Sequence, residues 1–507
     1  MSRLSRTTAQ DLLPAYLQNK TPGIGLVHLG PGAFFRGHQA WYSHRALLLA
    51  GGDWRICAVS MRSSDVAAAL QPQDGLYYLA AMEQQTELEL VGSIAEVLVA
   101  PNQYGQVLAR LTAKQCRYVT LTITEKGYCL NGRGELDLTL PVVAADLALA
   151  EVQPDGAVRA ESAIGLLVQA LFLRYQANLP LLTLMSCDNL TDNGHKLKAA
   201  VQAFAANALA YREQAGFIAA LQQLICPCSM VDSITPATDD ALRELVQQQT
   251  GFTDAWPVKR EAFVQWVVED VLPAEQPAWR EAGVIFTPDV TAFEKAKLRL
   301  LNAPHSTLAY LGSLLGLETV LDAMAHPQLA ALVKQLVQQE ILPSVPELKG
   351  LDLAQYSAAI FQRFLNPSVR HLLAQIAWDG SQKLPMRLIP VILDNVQAGR
   401  PVRLLAVAIA SWLQFIRRRA MQQHLAEPVP LVDPLASQLL AIAGQCSGKA
   451  ATDLPLWLAL DAVFPASLSR HPLFVPALCR AYDLLSHQSA TDALQPQWNL
   501  LLNGDPV

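Results

Sequence analysis

The sequence predicts an α/β N-terminal domain on a parallel sheet, followed by a mainly α-helical C-terminal domain. Three observations predict it. A strand–turn–helix–strand unit stands near the start, in GIGLVHLGPGAFFRGHQAWYSHRALLLAGGDWRICAVSM. Further β-rich runs follow, each ending in a polar cluster. Near Thr291 the pattern changes to long runs with helical periodicity.

The apolar run Ile24 to Leu29 reads as a buried strand, with Gly30 and Gly32 directly after it. An amphipathic stretch then runs to Gly51-Gly52, a helix with a glycine stop. Trp54 to Met61 reads as the second strand. Arg117 to Thr124 and Leu179 to Cys187 are the next strands, and Ser229 to Pro236 is a short one carrying Asp232. Ligands of open parallel sheets sit beyond the carboxyl ends of strands. The clusters Glu125-Lys126-Gly127-Tyr128 and Asp188-Asn189 are therefore site candidates by position. From Thr291 onward, runs such as STLAYLGSLLG, LAALVKQLVQQEIL and VRLLAVAIASWLQFIRRR predict helices. The expected domains are residues 1–290 and 291–507.

Composition narrows the function classes. The 507 residues are 51% apolar and 16% charged, with a net charge of −6. This is a folded chain with ample core. The balance gives no support for a nucleic-acid partner. The greasy runs, AIGLLVQALFL among them, fit buried helices better than membrane spans. The first residues, MSRLSRTTAQDLLPAYLQ, show no secretory apolar region, so the expected compartment is the cytoplasm. Eight cysteines are scattered. Only Cys226-Pro-Cys228 is close-spaced, and it lacks the paired spacing of a zinc site, so no metal is expected.

The turn Gly30-Pro31-Gly32 between strand and helix suits a pyrophosphate resting on backbone N–H groups. Arg36, one helical turn on, is expected to pair a phosphate. The acid that grips an adenosine ribose normally ends the second strand. Here that place reads Ser60-Met61-Arg62-Ser63-Ser64-Asp65. Asp65 favours NAD, while Arg62 and the serines suit a 2′-phosphate, so NAD is expected with NADP left open.

The segment TAFEKAKLRLLNAPHSTLAYLG carries Lys297, Asn302 and His305. On a regular helix Asn302 and His305 fall about 140° and 80° from Lys297, a broad face. Pro304 removes a backbone donor and disfavours α geometry at Ala303, which predicts a kink or restart there. Alcohol oxidation needs a base for the hydroxyl proton, which a buried lysine supplies. An amide can donate to the oxygen as charge develops on it. An imidazole can orient a neighbouring hydroxyl.

These residues resemble the mannitol dehydrogenase family of long-chain polyol and sugar-acid dehydrogenases. Its pattern Lys-x4-Asn-x2-His is met by Lys297, Asn302 and His305. HLGPGAFFRGHQ, LTITEKGY, MSCDNLTDNGHK, SMVDSITP and WDGSQKLP extend the resemblance over nearly the whole chain. Within the family, TEKGYC, the extended SCDN…NGH run and DGSQKLP look most like the branch that reduces fructuronate to mannonate. The resemblance implies a metal-independent enzyme with a Rossmann-like N-terminal domain and a helical C-terminal domain. It implies Lys297 as general base, with Asn302 and Asn189 as paired amides for the oxyanion. His305 matches a substrate contact. Glu294 and Asp232 match acids near the lysine, Glu294 suited to passing protons to solvent. Lys383 matches a basic position used on the substrate. Gly30, Gly32, Phe34 and Arg36 match the cofactor turn, with Glu125 and Lys126 beside it. A sugar-acid carboxylate needs a cation, for which Lys383, Arg370 and Arg387 are candidates. Mannitol, arabinitol and tagaturonate are the alternative substrates, and a dinucleotide-binding protein without turnover is the alternative class. The expected partner is a small sugar acid or polyol, and the expected state a monomer or weak oligomer. Three departures stand out: Ser233 in place of the family's arginine, Pro304 in place of a small residue, and a Gly-Pro-Gly-Ala turn.

Overall fold

The computed structural model describes residues 2–18, 21–83, 86–152, 159–347, 351–368, 370–422, 430–486 and 495–503. The chain divides into two compact units, Met1–Thr291 and Ala292–Val507.

The first unit is organised by a five-stranded, wholly parallel sheet. Its strands are β1 (Ile24–Leu29), β2 (Arg55–Ser60), β3 (Ile94–Val99), β4 (Tyr118–Leu121) and β5 (Thr183–Ser186). They lie in the order β3-β2-β1-β4-β5. β1 occupies the residues the apolar run predicts, because a strand covered on both faces reads as continuous apolar sequence. The other predicted strands are trimmed at their ends, where the chain turns to loop. The chain leaves β1 to one side toward β2 and returns on the other side at β4. That reversal is the switch point at which open α/β sheets bind ligands. Ser229–Asp232 forms β6, which pairs antiparallel with β7 (Gln265–Glu269) in a separate three-stranded sheet.

β1 ends in a turn that only glycine permits. Gly30 has φ of +91°, and a Cβ there would lie 2.2 Å from the Thr122 carbonyl oxygen. The helix that follows is broken. α1 (Ala33–Gly37) stops at His38, and α2 (Gln39–Ala50) ends at Gly51 in the left-handed region.

The second unit is helical. α4 (Val290–Lys297) begins just before it, continues through a π-helical turn at Leu298–Asn302 and runs on as α5 (Ala303–Leu314); α3 (Asn193–Asn207) belongs to the first unit. α5 packs against α7 (Arg403–Met421), and α7 against α8 (Phe474–Ser486); α6 (Gly380–Arg387) lies between α5 and α7 in sequence. Every residue of α7 from Leu404 to Ile416 is buried. That explains the unbroken apolar run: a helix hydrophobic all round is a core helix. Among the described residues, no helix is long and apolar enough to cross a membrane.

The predicted restart is present, as the passage from the π turn into α5 at Ala303, but the predicted loss of α geometry at Ala303 is not. Ala303 is right-handed helical, with φ −68° and ψ −47°. The wider π turn absorbs Pro304 instead, by placing it at the start of α5, where a missing N–H costs least.

Replacing Gly30 by Ala combines a left-handed backbone, about 1–3 kcal/mol for a non-glycine residue, with the clash at Thr122. The expected result is a lower urea midpoint and weakened dinucleotide binding, read by denaturation and NADH fluorescence.

Candidate active site

The carboxyl edge of the parallel sheet is built from interlocked polar groups. His28, fully buried in β1, meets the Thr120 hydroxyl at Nδ1 (2.7 Å) and the Thr122 hydroxyl at Nε2 (2.9 Å). The Thr122 hydroxyl donates to the Gly30 carbonyl at 2.7 Å, so it accepts from Nε2–H. Nδ1 then accepts from Thr120, which fixes the tautomer. Burial lowers the His28 pKa to about 3, and the Phe35 ring stacks on it at 3.5 Å. A neutral imidazole thereby holds the carbonyl side of the glycine turn. On the other side, a Cβ at Gly32 would meet nothing within 4 Å. The first N–H groups of α1 have no intrahelical partner. An open face of backbone beside a helix start fits a dinucleotide's phosphates.

The next loop is strained and clamped. Thr124 holds φ +64° and ψ +162°, a conformation unfavourable to a residue with a side chain. The Asp188 carboxylate accepts from the N–H groups of Ile123 (2.9 Å) and Thr124 (3.0 Å) and from the Tyr128 hydroxyl (2.7 Å). Burial raises the Asp188 pKa, and these donors pull against that rise. Glu125 and Lys126 sit on the short helical turn this clamp holds, with exposed side chains. The sequence marks Asp188 only as part of a polar cluster. Its positioning role follows from the adjacency of β4 and β5.

Arg36 requires a correction. Its guanidinium is 1% exposed, donates to the Trp256 carbonyl and lies over the rings of Tyr77 (5.6 Å) and Trp256 (5.2 Å). The rotation of α1 turns it into the core, so it anchors the helix and faces no phosphate. Phe34 is half-buried and stacks on His38 at 5.0 Å. Beyond β2, Arg62 and Asp65 are both exposed. Asp65 opens the next helix, and its N–H donates to the Ser63 hydroxyl at 3.1 Å. Asn189 is exposed beside Asp188, and Asp232 is buried in β6.

In the helical unit, Lys297 is 9% exposed at the end of α4. Glu294 is half-buried and three residues back, on the same face of that helix. Asn302 closes the π turn, and its Oδ1 is buried without a hydrogen-bond partner among the described residues. His305 is buried in α5 with Nε2 likewise unpartnered. Two such atoms, five and eight residues on from one lysine, are costly unless a ligand meets them.

His305 lies in cationic company. Its ring packs on Phe364 at 4.4 Å and edge-on to His371 at 5.0 Å. Burial, then His371, Arg387 and Arg363, push its pKa well below the usual imidazole value. Burial, then Arg363, lowers His371 to about 4. Arg387 donates to the Ser306 hydroxyl at 3.2 Å, and no carboxylate pairs with it among the described residues. Lys383 donates to the Ile376 carbonyl at 3.2 Å, and burial, then Arg387, lowers it to about 8. Gly380 allows α6 to start here, since a Cβ would strike Trp412 at 2.4 Å and Tyr310 at 2.7 Å. Arg370 behaves differently: its side chain is 71% exposed and ion-paired with exposed Glu318. A solvated, satisfied guanidinium has little to gain from a substrate carboxylate, so Arg387 takes its place as candidate.

A sheet in this strand order, with its glycine turn at the switch point, is the platform of the dinucleotide-dependent dehydrogenases. The comparisons with known proteins refine this class. Residues 24–281 match the mannitol dehydrogenase Rossmann domain, and residues 289–486 match the mannitol dehydrogenase C-terminal domain. The D-mannonate oxidoreductase of Escherichia coli is 36% identical over 477 residues, which is 92% of this chain and 94% of that protein. A mannitol 2-dehydrogenase of Aspergillus fumigatus is 34% identical over 85% of each chain. Among solved structures, the Pseudomonas fluorescens mannitol 2-dehydrogenase in ternary complex with NAD and D-mannitol superposes with a TM-score of 0.78. That match is 32% identical over 99% of this chain and 98% of that one. The chain belongs to the mannitol dehydrogenase family and is an oxidoreductase acting on CH–OH groups with an NAD-type cofactor.

Exchanging Asp188 for Asn withdraws the charge from three hydrogen bonds, each worth about 1.5–3 kcal/mol to a charged group. Amide hydrogen exchange at Ile123 and Thr124 is expected to quicken at least about tenfold, with weaker NADH binding. Unchanged protection would remove Asp188 from the clamp.

Proposed function

We propose that the enzyme reduces a keto sugar acid, D-fructuronate to D-mannonate, with NADH. The observation that carries this reading is the half-buried Arg387, which has no carboxylate partner among the described residues and stands close to both His305 and Lys383. Cations gathered in a site that a neutral polyol does not need fit a substrate carboxylate. The likeness to the D-mannonate oxidoreductase supports the same choice. The neutral-polyol reading rests on the likeness to the mannitol 2-dehydrogenases.

When bound, the nicotinamide supplies the hydride. Lys297 gives its proton to the carbonyl oxygen as that oxygen becomes an alcohol, and takes the proton back in oxidation. Glu294, on the same face, exchanges that proton with solvent. The amides of Asn302 and Asn189 steady the developing negative charge, each presenting N–H by a half-turn of its terminal torsion. His305, kept neutral by burial, makes a hydrogen bond to a substrate hydroxyl. Arg387 and Lys383 hold the carboxylate. Asp232 borders the substrate. Asp65 favours NADH over NADPH at the adenosine end.

Two experiments test this. Fructuronate and fructose are compared with NADH, in wild type and in Arg387→Met. The variant is expected to raise KM for fructuronate about 10- to 100-fold, matching about 1.5–3 kcal/mol for a charged hydrogen bond, and to leave fructose nearly unaffected. Equal or better turnover of fructose by the wild type would sink the sugar-acid assignment. Separately, Lys297→Ala is expected to lower kcat about 10²- to 10⁴-fold at neutral pH while NADH binding persists. Full activity in that variant would strip the lysine of its role.

A further inference from the structure

The fold brings together a thiol, an imidazole and a carboxylate that the sequence keeps apart. We infer that Asp192, His195 and Cys228 form a binding site for a zinc-class cation, separate from the Lys297 chemistry. The three ligand atoms lie within 4.8 Å of one another. Cys228 Sγ is 3.6 Å from Asp192 Oδ1 and 3.7 Å from His195 Nδ1, and the last two are 2.6 Å apart. Zinc bonds of about 2.0–2.3 Å at tetrahedral angles require roughly 3.5 Å from sulfur to the lighter ligands and roughly 3.3 Å between nitrogen and oxygen. The two sulfur distances already fit. Only the Asp192–His195 hydrogen bond must open, from 2.6 Å to roughly 3.3 Å. Both side chains are more than half exposed, so they can move and a cation can reach them.

The arrangement is built rather than incidental. Asp192 caps α3 with φ +56°, and His195 lies in its first turn. A Cβ at Gly194 would come within 2.4–2.5 Å of the backbone of Pro227 and Cys226, so the glycine allows the helix start to seat directly on the Cys-Pro-Cys segment. Asn193 locks the seat: its Oδ1 accepts from Ser229 N–H at 2.9 Å, and its Nδ2 donates to the Ser229 carbonyl at 2.8 Å. Cys228 itself is fixed by its N–H bond to Glu269 at 3.0 Å. Cys226-Pro-Cys228 lacks zinc spacing in sequence because its partners come from a loop more than thirty residues earlier.

The chemistry selects the ion class. A thiolate and an imidazole favour zinc or a similar borderline cation over magnesium or calcium, which take oxygen ligands. One thiolate and one carboxylate balance a divalent charge, and water completes the fourth position. Binding releases the thiol proton.

The test uses the full-length enzyme after chelator treatment, titrated with Co²⁺ and then Zn²⁺. The expected result is one equivalent of cobalt with a thiolate-to-metal absorption band, displaced by zinc. Cys228→Ser is expected to abolish the band, and His195→Ala and Asp192→Asn to weaken zinc binding at least about tenfold by calorimetry. A band that survives in Cys228→Ser overturns the proposal. If that variant misfolds, the two exposed positions decide: wild-type zinc affinity in both His195→Ala and Asp192→Asn overturns it equally.

Discussion

A parallel sheet leaves the last carbonyl and amide groups of all its strands along one edge, and those groups need partners. Much else in the first unit follows from how this need is met without closing the edge. Gly30 turns the chain away from β1 with its carbonyl satisfied by Thr122. His28 stays neutral beneath it, supplying one donor and one acceptor at no cost in buried charge. Asp188 gathers the N–H groups that β4 leaves behind and holds Thr124 in a backbone state it would not adopt alone. The edge is polar, rigid and still open at Gly32, which is what a dinucleotide requires.

The helical unit solves a related problem. Pro304 removes one N–H from a long helix that must carry three polar side chains. A sharp break would satisfy the proline and scatter those side chains. The π turn at Leu298–Asn302 keeps the helix continuous and changes only its local winding. Such turns are common at functional sites for this reason. The apolar bulk of α7 and its neighbours then supplies the rigid backing, so the unpartnered atoms of Asn302 and His305 stay where they are rather than relaxing onto each other.

The strands, the glycine turn, the helical second half and the Lys297 segment were legible because each is a local pattern: apolar runs, a glycine pair, a fixed spacing. What was not legible depends on rotation or on distance in sequence. Arg36 reads as a phosphate ligand by position, yet the turn of a short broken helix sends it under Trp256. Arg370 and Arg387 are equivalent as letters; one meets Glu318 in solvent and the other Ser306 inside. Ala303 before a proline reads as non-helical, yet it is helical, because the sequence rule assumes α winding on the preceding turn and the turn there is π. The Asp188 clamp needs β4 and β5 to be neighbours, and the Cys228 cluster needs α3 to begin on top of it.

The cations around His305 also divide the labour of recognition. A buried imidazole with His371, Arg387 and Arg363 nearby resists a proton, so at neutral pH it carries no charge. It therefore cannot be the counter-ion of an acidic substrate, although it can direct a hydroxyl. That leaves charge to Arg387, which never deprotonates at working pH, and to Lys383, which burial, then Arg387, holds near 8. Burial depresses Lys383 most and Arg387 adds to it; a negative substrate group would offset the Arg387 part, whereas a neutral polyol would leave it in place.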